Sequence, residues 1–257
     1  LDWKSTLPIK NYQRILRLDQ ATAFTSFKRG DNHIQQIAFA DFKNDLIWIR
    51  ITASQPLDID ISLHRKENAT TSYKSNKITL SGVLPNENTE GMQFASVIDV
   101  QTDGNLQNTT NATSIQKAKE IVLKISAATN YNFTKGGLTQ NDVLQKANDY
   151  LQKATIPFEN AIIESQKAYQ VFFNRNRWYS EANTDTSSLS TFERLQRFYK
   201  GKKDALLPVL YYNFGRYLLI SSSREGLLPA NLQGLWAEEY QTPWNGDYHL
   251  NINLQMN

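Results

Sequence analysis

Cysteine is absent from this 257-residue sequence, so neither a disulfide nor a thiolate metal site is available to it. Histidine is scarce. His33, His64 and His249 are the only three, and no two stand at a metal-ligand spacing, so no metal is expected, and no other cofactor. No run of eighteen apolar residues occurs, which excludes a membrane-spanning helix. Phosphate-loop and dinucleotide fingerprints are missing, as is the G-x-S-x-G of a serine hydrolase. Charge of one sign is missing as well. The 28 basic and 25 acidic residues leave a net +3, scattered rather than striped, which is no footprint for nucleic acid. The start at Leu1-Asp2-Trp3-Lys4 shows no initiator Met and no signal-type apolar stretch, and Asn257 falls inside a patterned motif. Both ends are expected to be cuts within a larger protein.

What is present suffices for a core. Hydrophobic residues make up 40% and charged residues 21%, which argues against wholesale disorder, and the length suggests one or two domains.

Residues 1 to about 130 alternate with the period of strands. Ile47, Ile49 and Ile51 share one face, as do Ile59, Ile61 and Leu63. Ile78 with Leu80, then Met92, Phe94, Ile98 and Val100 around Ser96, then Ile121, Leu123 and Ile125 repeat the pattern. Turn chemistry separates them at Lys28–Asn32, Pro85–Asn88 and Thr102–Asn105. Short strands with turns between them predict an antiparallel β-sandwich. Helical spacing takes over afterwards. Asn141-Asp142-Val143-Leu144 opens a helix, with a capping residue at its start, that is predicted to reach Ala154, a second runs from about Glu159 to Arg177, and Ser190-Thr191-Phe192-Glu193 forms a capping box for a third. A fourth carries Leu207, Leu210, Tyr211, Phe214, Tyr217 and Leu218, with Pro208 tolerable only in its first turn. The expected divisions are a β-sandwich domain over 1–138, a helical linker over 139–200 and the start of a catalytic domain over 201–257.

Beyond Arg224, Gly226, Pro229, Gly234, Pro243 and Gly246 break the chain into loops. Within them PWNGDYHLNIN packs two aromatics, a His, an Asp and three Asn into eleven residues. Amide and imidazole groups in such density suit a sugar site better than a core, because each must find a hydrogen-bond partner once buried. In extended backbone His249, Asn251 and Asn253 would line one side and Leu250 and Ile252 the other. In a helix Asn251 and Asn253 would point about 200° apart, although a helix starting near Asn253 would suit both. The same amides would also serve as caps and loop ties. Trp236 and Trp244 would stack on sugar rings or pack a loop. Asn231–Gly234 and Asn245–Asp247 have the composition of turns.

The run LLISSSREGLLPANLQGLW followed by PWNGDYHLNINLQMN resembles the signature of the family 95 glycoside hydrolases, α-L-fucosidases and relatives acting on α-L-galactosides. The likeness is dense from about Tyr211 to Asn257 and diffuse before that. It implies a sandwich, a helical linker and an (α/α)6 toroid with the active site in its mouth. It implies that His249 binds the sugar, with Trp244 and Trp236 as further substrate contacts, and that Asn251 and Asn253 position the attacking water in an inverting exo-hydrolysis. The general acid Glu and the base Asp would lie further along than Asn257, so Glu238, Glu239 and Asp247 are not assigned to those roles and the chain alone is expected to be inactive. The implied partners are a fucosylated oligosaccharide, from a plant or host glycan, and the remainder of the catalytic domain, with a bacterial periplasmic or secreted location. The alternatives are a non-catalytic glycan-binding module and a structural one.

Overall fold

The computed structural model describes residues 1–85, 91–178, 180, 188–225, 228–233, 235–237, 239 and 241–256, with Leu254 described by its backbone alone. The expected turn residues Asn86–Asn88, the glycines at 226 and 234, Glu238 and Asn257 lie outside them. The chain divides into two compact units, Leu1–Ala168 and Tyr169–Asn257.

Alternation of apolar and polar residues in the first unit produces antiparallel strands. They are β1 (Asp2–Trp3), β2 (Ile9–Arg17), β3 (Thr22–Arg29), β4 (Asn32–Ala40), β5 (Leu46–Ile61), β6 (Ala69–Lys74), β7 (Lys77–Val83), β8 (Gln93–Thr102), β9 (Asn105–Asn108) and β10 (Thr113–Thr129). They hydrogen-bond as one sheet in the order β2-β3-β4-β5-β10-β8-β7-β6, with β1 on β5 and β9 on β10. β11 (Tyr131–Asn132) and β12 (Gly137–Leu138) form a separate ribbon.

The long central pair bends at a bulge. The register of β10 on β5 shifts between Ile115 and Glu120, where Lys117 takes φ +57°. Asp58 Oδ1 accepts the Lys117 N–H at 2.8 Å, and Asp103 Oδ1 accepts those of Lys119 and Glu120, each at 2.9 Å. Those backbone donors, Glu120 foremost, hold the Asp103 carboxyl below its ordinary range. On one face, Phe27 and Ile34 join Leu57, Ile59, Ile61, Ile78, Ile98, Ile115 and Ile121 in a single buried cluster drawn from both wings of the sheet.

The opposite face is covered by helices. α1 (Val143–Lys153) starts at Asp142, whose Oδ1 accepts from Leu144 and Gln145 N–H, and it buries Val143, Ala147 and Leu151 at four-residue spacing. α2 (Phe158–Phe173) contributes Phe158 and Ala161 to the same cluster as Phe39, Leu46, Trp48 and Val97. The Phe158 ring meets Trp48 edge-on at 6.0 Å. This second core takes the side of β5 opposite the face shared by Ile47, Ile49 and Ile51. Ile51 is buried and Ile49 half-buried, but Ile47 is 48% exposed, while Leu46 and Trp48 on the other side are closed off beneath the helices.

In the second unit α2 stops four residues before the expected Arg177. Arg216 donates to the carbonyls of Phe172, Phe173 and Asn176 at 3.2, 2.8 and 2.8 Å, a cation on orphan acceptors at a helix C-terminus. α3 (Thr191–Tyr199) opens with the expected capping box, and α4 (Leu207–Ser222) carries Pro208 in its first turn.

Candidate functional site

Helix α4 and the loops that follow it hold the residues singled out for chemistry. Its start is fixed from upstream. Asp204 Oδ1 accepts from Leu206 and Leu207 N–H at 3.2 and 3.1 Å, and both carboxylate oxygens pair with Arg194, at 2.8 and 3.0 Å. Asp204 is buried, and the Arg194 hydrogen bond is the main reason its carboxyl sits below the ordinary carboxylate range.

A cleft of about 790 Å³ runs beside α4 and is lined also by Ala230–Leu232, Trp236 and Met256. Trp178, Tyr211, Tyr212 and Trp236 make its lining largely aromatic. Tyr212 is fixed, since its hydroxyl accepts from Asn176 Nδ2 at 2.8 Å and its ring meets Trp178 edge-on at 5.6 Å. Tyr211 and Trp236 are 80% and 54% exposed, so their faces are open to a ligand in a way that core aromatics are not. Asn231 adds an amide to the lining. A wall of this kind can cover the apolar face of a pyranose and read hydroxyls at its rim.

Of the five residues expected in the site, Trp236 lines this cleft. Trp244 is 70% exposed on a 3-10 turn, Pro243–Gly246, and is not part of the lining. His249, Asn251 and Asn253 are not part of it either. The extended path that would align these three is not formed. His249 takes φ +47°, residues 250–252 turn, and α5 (Asn253–Met256) begins, with Asn253 N–H on the His249 carbonyl at 3.2 Å. The reason is local: a left-handed residue reverses the strand direction, and alternation of faces ends there.

Asn251 is exposed and Asn253 half-buried, and neither side-chain amide hydrogen-bonds to a described residue. His249 Nε2 is shielded from solvent and has no hydrogen-bond partner among the described residues, with Asp247 Oδ2 at 4.0 Å. Gln233 Oε1 is shielded and unpartnered in the same way. Such atoms cost about 1–3 kcal/mol each unless satisfied. Among the described residues no group of three or more His, Asp or Glu comes together as a metal site.

The aromatic lining from Trp178, Tyr211 and Tyr212 was not singled out by sequence. The adjacent tyrosines carry the signal, because two neighbours on a helix cannot both belong to one narrow apolar stripe.

The chain matches the model of "Glycosyl hydrolase family 65, N-terminal domain" over residues 1–134 and that of "Glycosyl hydrolase family 95 catalytic domain" over residues 157–257. It is 33% identical to "Probable alpha-fucosidase A" of Aspergillus niger, in an alignment covering 100% of this chain and 34% of that protein. It is 31% identical to "Alpha-L-fucosidase 2" of Arabidopsis thaliana, covering 96% and 33%. "Probable alpha-fucosidase A" of Aspergillus oryzae is 26% identical, over 97% and 37%. The chain spans about a third of the length of these curated relatives.

Proposed function

Because residues 157–257 match the glycosyl hydrolase family 95 catalytic domain and residues 1–134 a domain of the family 65 N-terminal type, we propose that the chain is a family 95 member and part of an inverting exo-glycosidase that removes terminal α-L-fucosyl, or α-L-galactosyl, residues from glycans. The bent sheet is then the sandwich that supports the catalytic domain, and α4 is an early helix of an (α/α)6 toroid that the rest of the catalytic domain completes.

The observation that carries this reading is the folding of Pro243–Met256. A tight turn and a left-handed His249 lead into α5, and the Asn251 and Asn253 amides are left with no described hydrogen-bond partner. An amide oxygen is too weak a base to take a proton, but it can orient a water by accepting a hydrogen bond from it. Asn251 and Asn253 have this role, His249 holds a sugar hydroxyl, and Trp236 and Trp244 cover the ring. Inversion places the water between the anomeric carbon and a carboxylate base, with a second carboxylic acid protonating the leaving oxygen. Both carboxylates come from segments that the family places after Asn257. The chain by itself therefore binds without turning over.

Calorimetric titration with methyl α-L-fucoside tests the binding half of this account. The wild-type chain is expected to bind, and Asn251→Ala and Asn253→Ala each to weaken binding about tenfold, the loss of roughly one hydrogen bond to a ligand. Equal affinity in all three would remove the amides from the site.

A further inference from the structure

Two runs, Asn231–Gln233 and Thr242–Asp247, are tied to each other. The Leu232 N–H donates to the Asp247 carbonyl at 3.0 Å, and Gln233 Nε2 donates to the Pro243 carbonyl at 2.7 Å. Asn231 Oδ1 accepts the Gln233 N–H at 3.0 Å, an Asx turn that sets the direction in which the Gln233 side chain leaves the backbone. Where the runs meet, Gly246 has φ +65°, and a Cβ there would lie 3.2 Å from both Asn231 Nδ2 and Thr242 Oγ1. Gln233 thus grips the entrance of the Pro243–Gly246 turn, and Leu232 grips its exit.

Between these grips the backbone passes through left-handed Trp244, Asn245 and Gly246, at φ +48°, +54° and +65°. Two residues after the second grip it passes through His249 at φ +47°. Non-glycine residues hold that conformation only where the surroundings impose it. Proline at 243 has no N–H to anchor it, so its carbonyl is the hold on the start of the path. The only side chain that donates to that carbonyl among the described residues is Gln233.

We propose that Gln233 is a positioning residue for the His249–Asn253 cluster. Its amide fixes the turn from which His249, Asn251 and Asn253 are presented, and it does so from outside the cleft lining. Only the ligand arm of the test rests on the glycosidase reading.

The test compares the wild-type chain with Gln233→Glu, which keeps the size and removes the donor, and Gln233→Met, which keeps the length without either polar atom. Amide hydrogen exchange is read residue by residue. The expected result is exchange at least tenfold faster at the Asp247 and Asn253 N–H, with the interior amides of α4 unchanged and the thermal midpoint little moved. Unchanged exchange over 245–256 would overturn the proposal. So would acceleration spread evenly through α4, since Gln233 would then support the unit as a whole. In the ligand arm, titration with deoxyfuconojirimycin should show affinity in both variants at least tenfold below wild type, and equal affinity would overturn the proposal. Absence of binding by the wild-type chain would count against the glycosidase reading alone, and the exchange measurement would still decide the role of Gln233.

Discussion

Asp204 shows how much of α4 depends on one side chain. The residue at the helix start, Leu206, has no side chain able to cap it, so the carboxylate two positions earlier accepts the orphan N–H groups and pairs with Arg194. Its carboxyl titrates below the unfolded value, held there first by Arg194. The stabilisation is therefore complete above about pH 4, where the unfolded carboxyl is ionised, and is lost as pH falls through the lower folded value. Asp204→Asn should cost about 2 kcal/mol at neutral pH. Urea unfolding of wild type and variant should show that gap closing as pH falls below the ordinary carboxylate range, and a gap independent of pH would mean the ion pair contributes nothing. This pairing was not foreseen from sequence, because Arg194 and Asp204 belong to no local motif and only the fold brings them together.

At the scale of elements, local chemistry was legible and long-range cover was not. The cap in the Asn141–Leu144 run, which falls to Asp142, the Ser190–Glu193 box and the placing of Pro208 in a first turn depend on residues within four positions of each other, and all three form. The period of two located the strands, but it could not say which face of β5 would be covered at each point. Ile47 ends up exposed and Trp48 buried because α1 and α2 arrive on the Trp48 side about a hundred residues later. The end of α2 was misplaced for the same kind of reason, since Arg216 on α4 terminates it. Trp48 stacks on Phe39, meets Phe158 edge-on and donates Nε1–H to Asp41. Trp48→Ala should destabilise the first unit by about 3–5 kcal/mol, measured as a shift in its urea midpoint. A loss below 1 kcal/mol would show that the helices do not depend on this core.

For the whole molecule, the motif at the carboxy-terminal end pointed to the family whose catalytic-domain model matches residues 157–257, while the path of its backbone stayed hidden. The spacing of His249, Asn251 and Asn253 suits a strand, and the left-handed turn at His249 that sends the last residues into α5 has no sequence signature, since neither Gly nor Asn occupies that position. The cleft beside α4 depends on Trp178, Tyr211 and Trp236, which are far apart in sequence. The proposed division of labour, with binding residues here and proton-transfer carboxylates elsewhere, predicts that the 257-residue chain releases no fucose from 2′-fucosyllactose. Measurable turnover would mean that a carboxylate within it serves as acid or base.

The direct test is a deoxyfuconojirimycin titration of the isotope-labelled chain, followed at the asparagine side-chain amides. The account predicts saturable shifts in the Asn251 and Asn253 NH₂ signals and in the Trp236 indole. Shifts confined to other residues, or none at millimolar ligand, would contradict it.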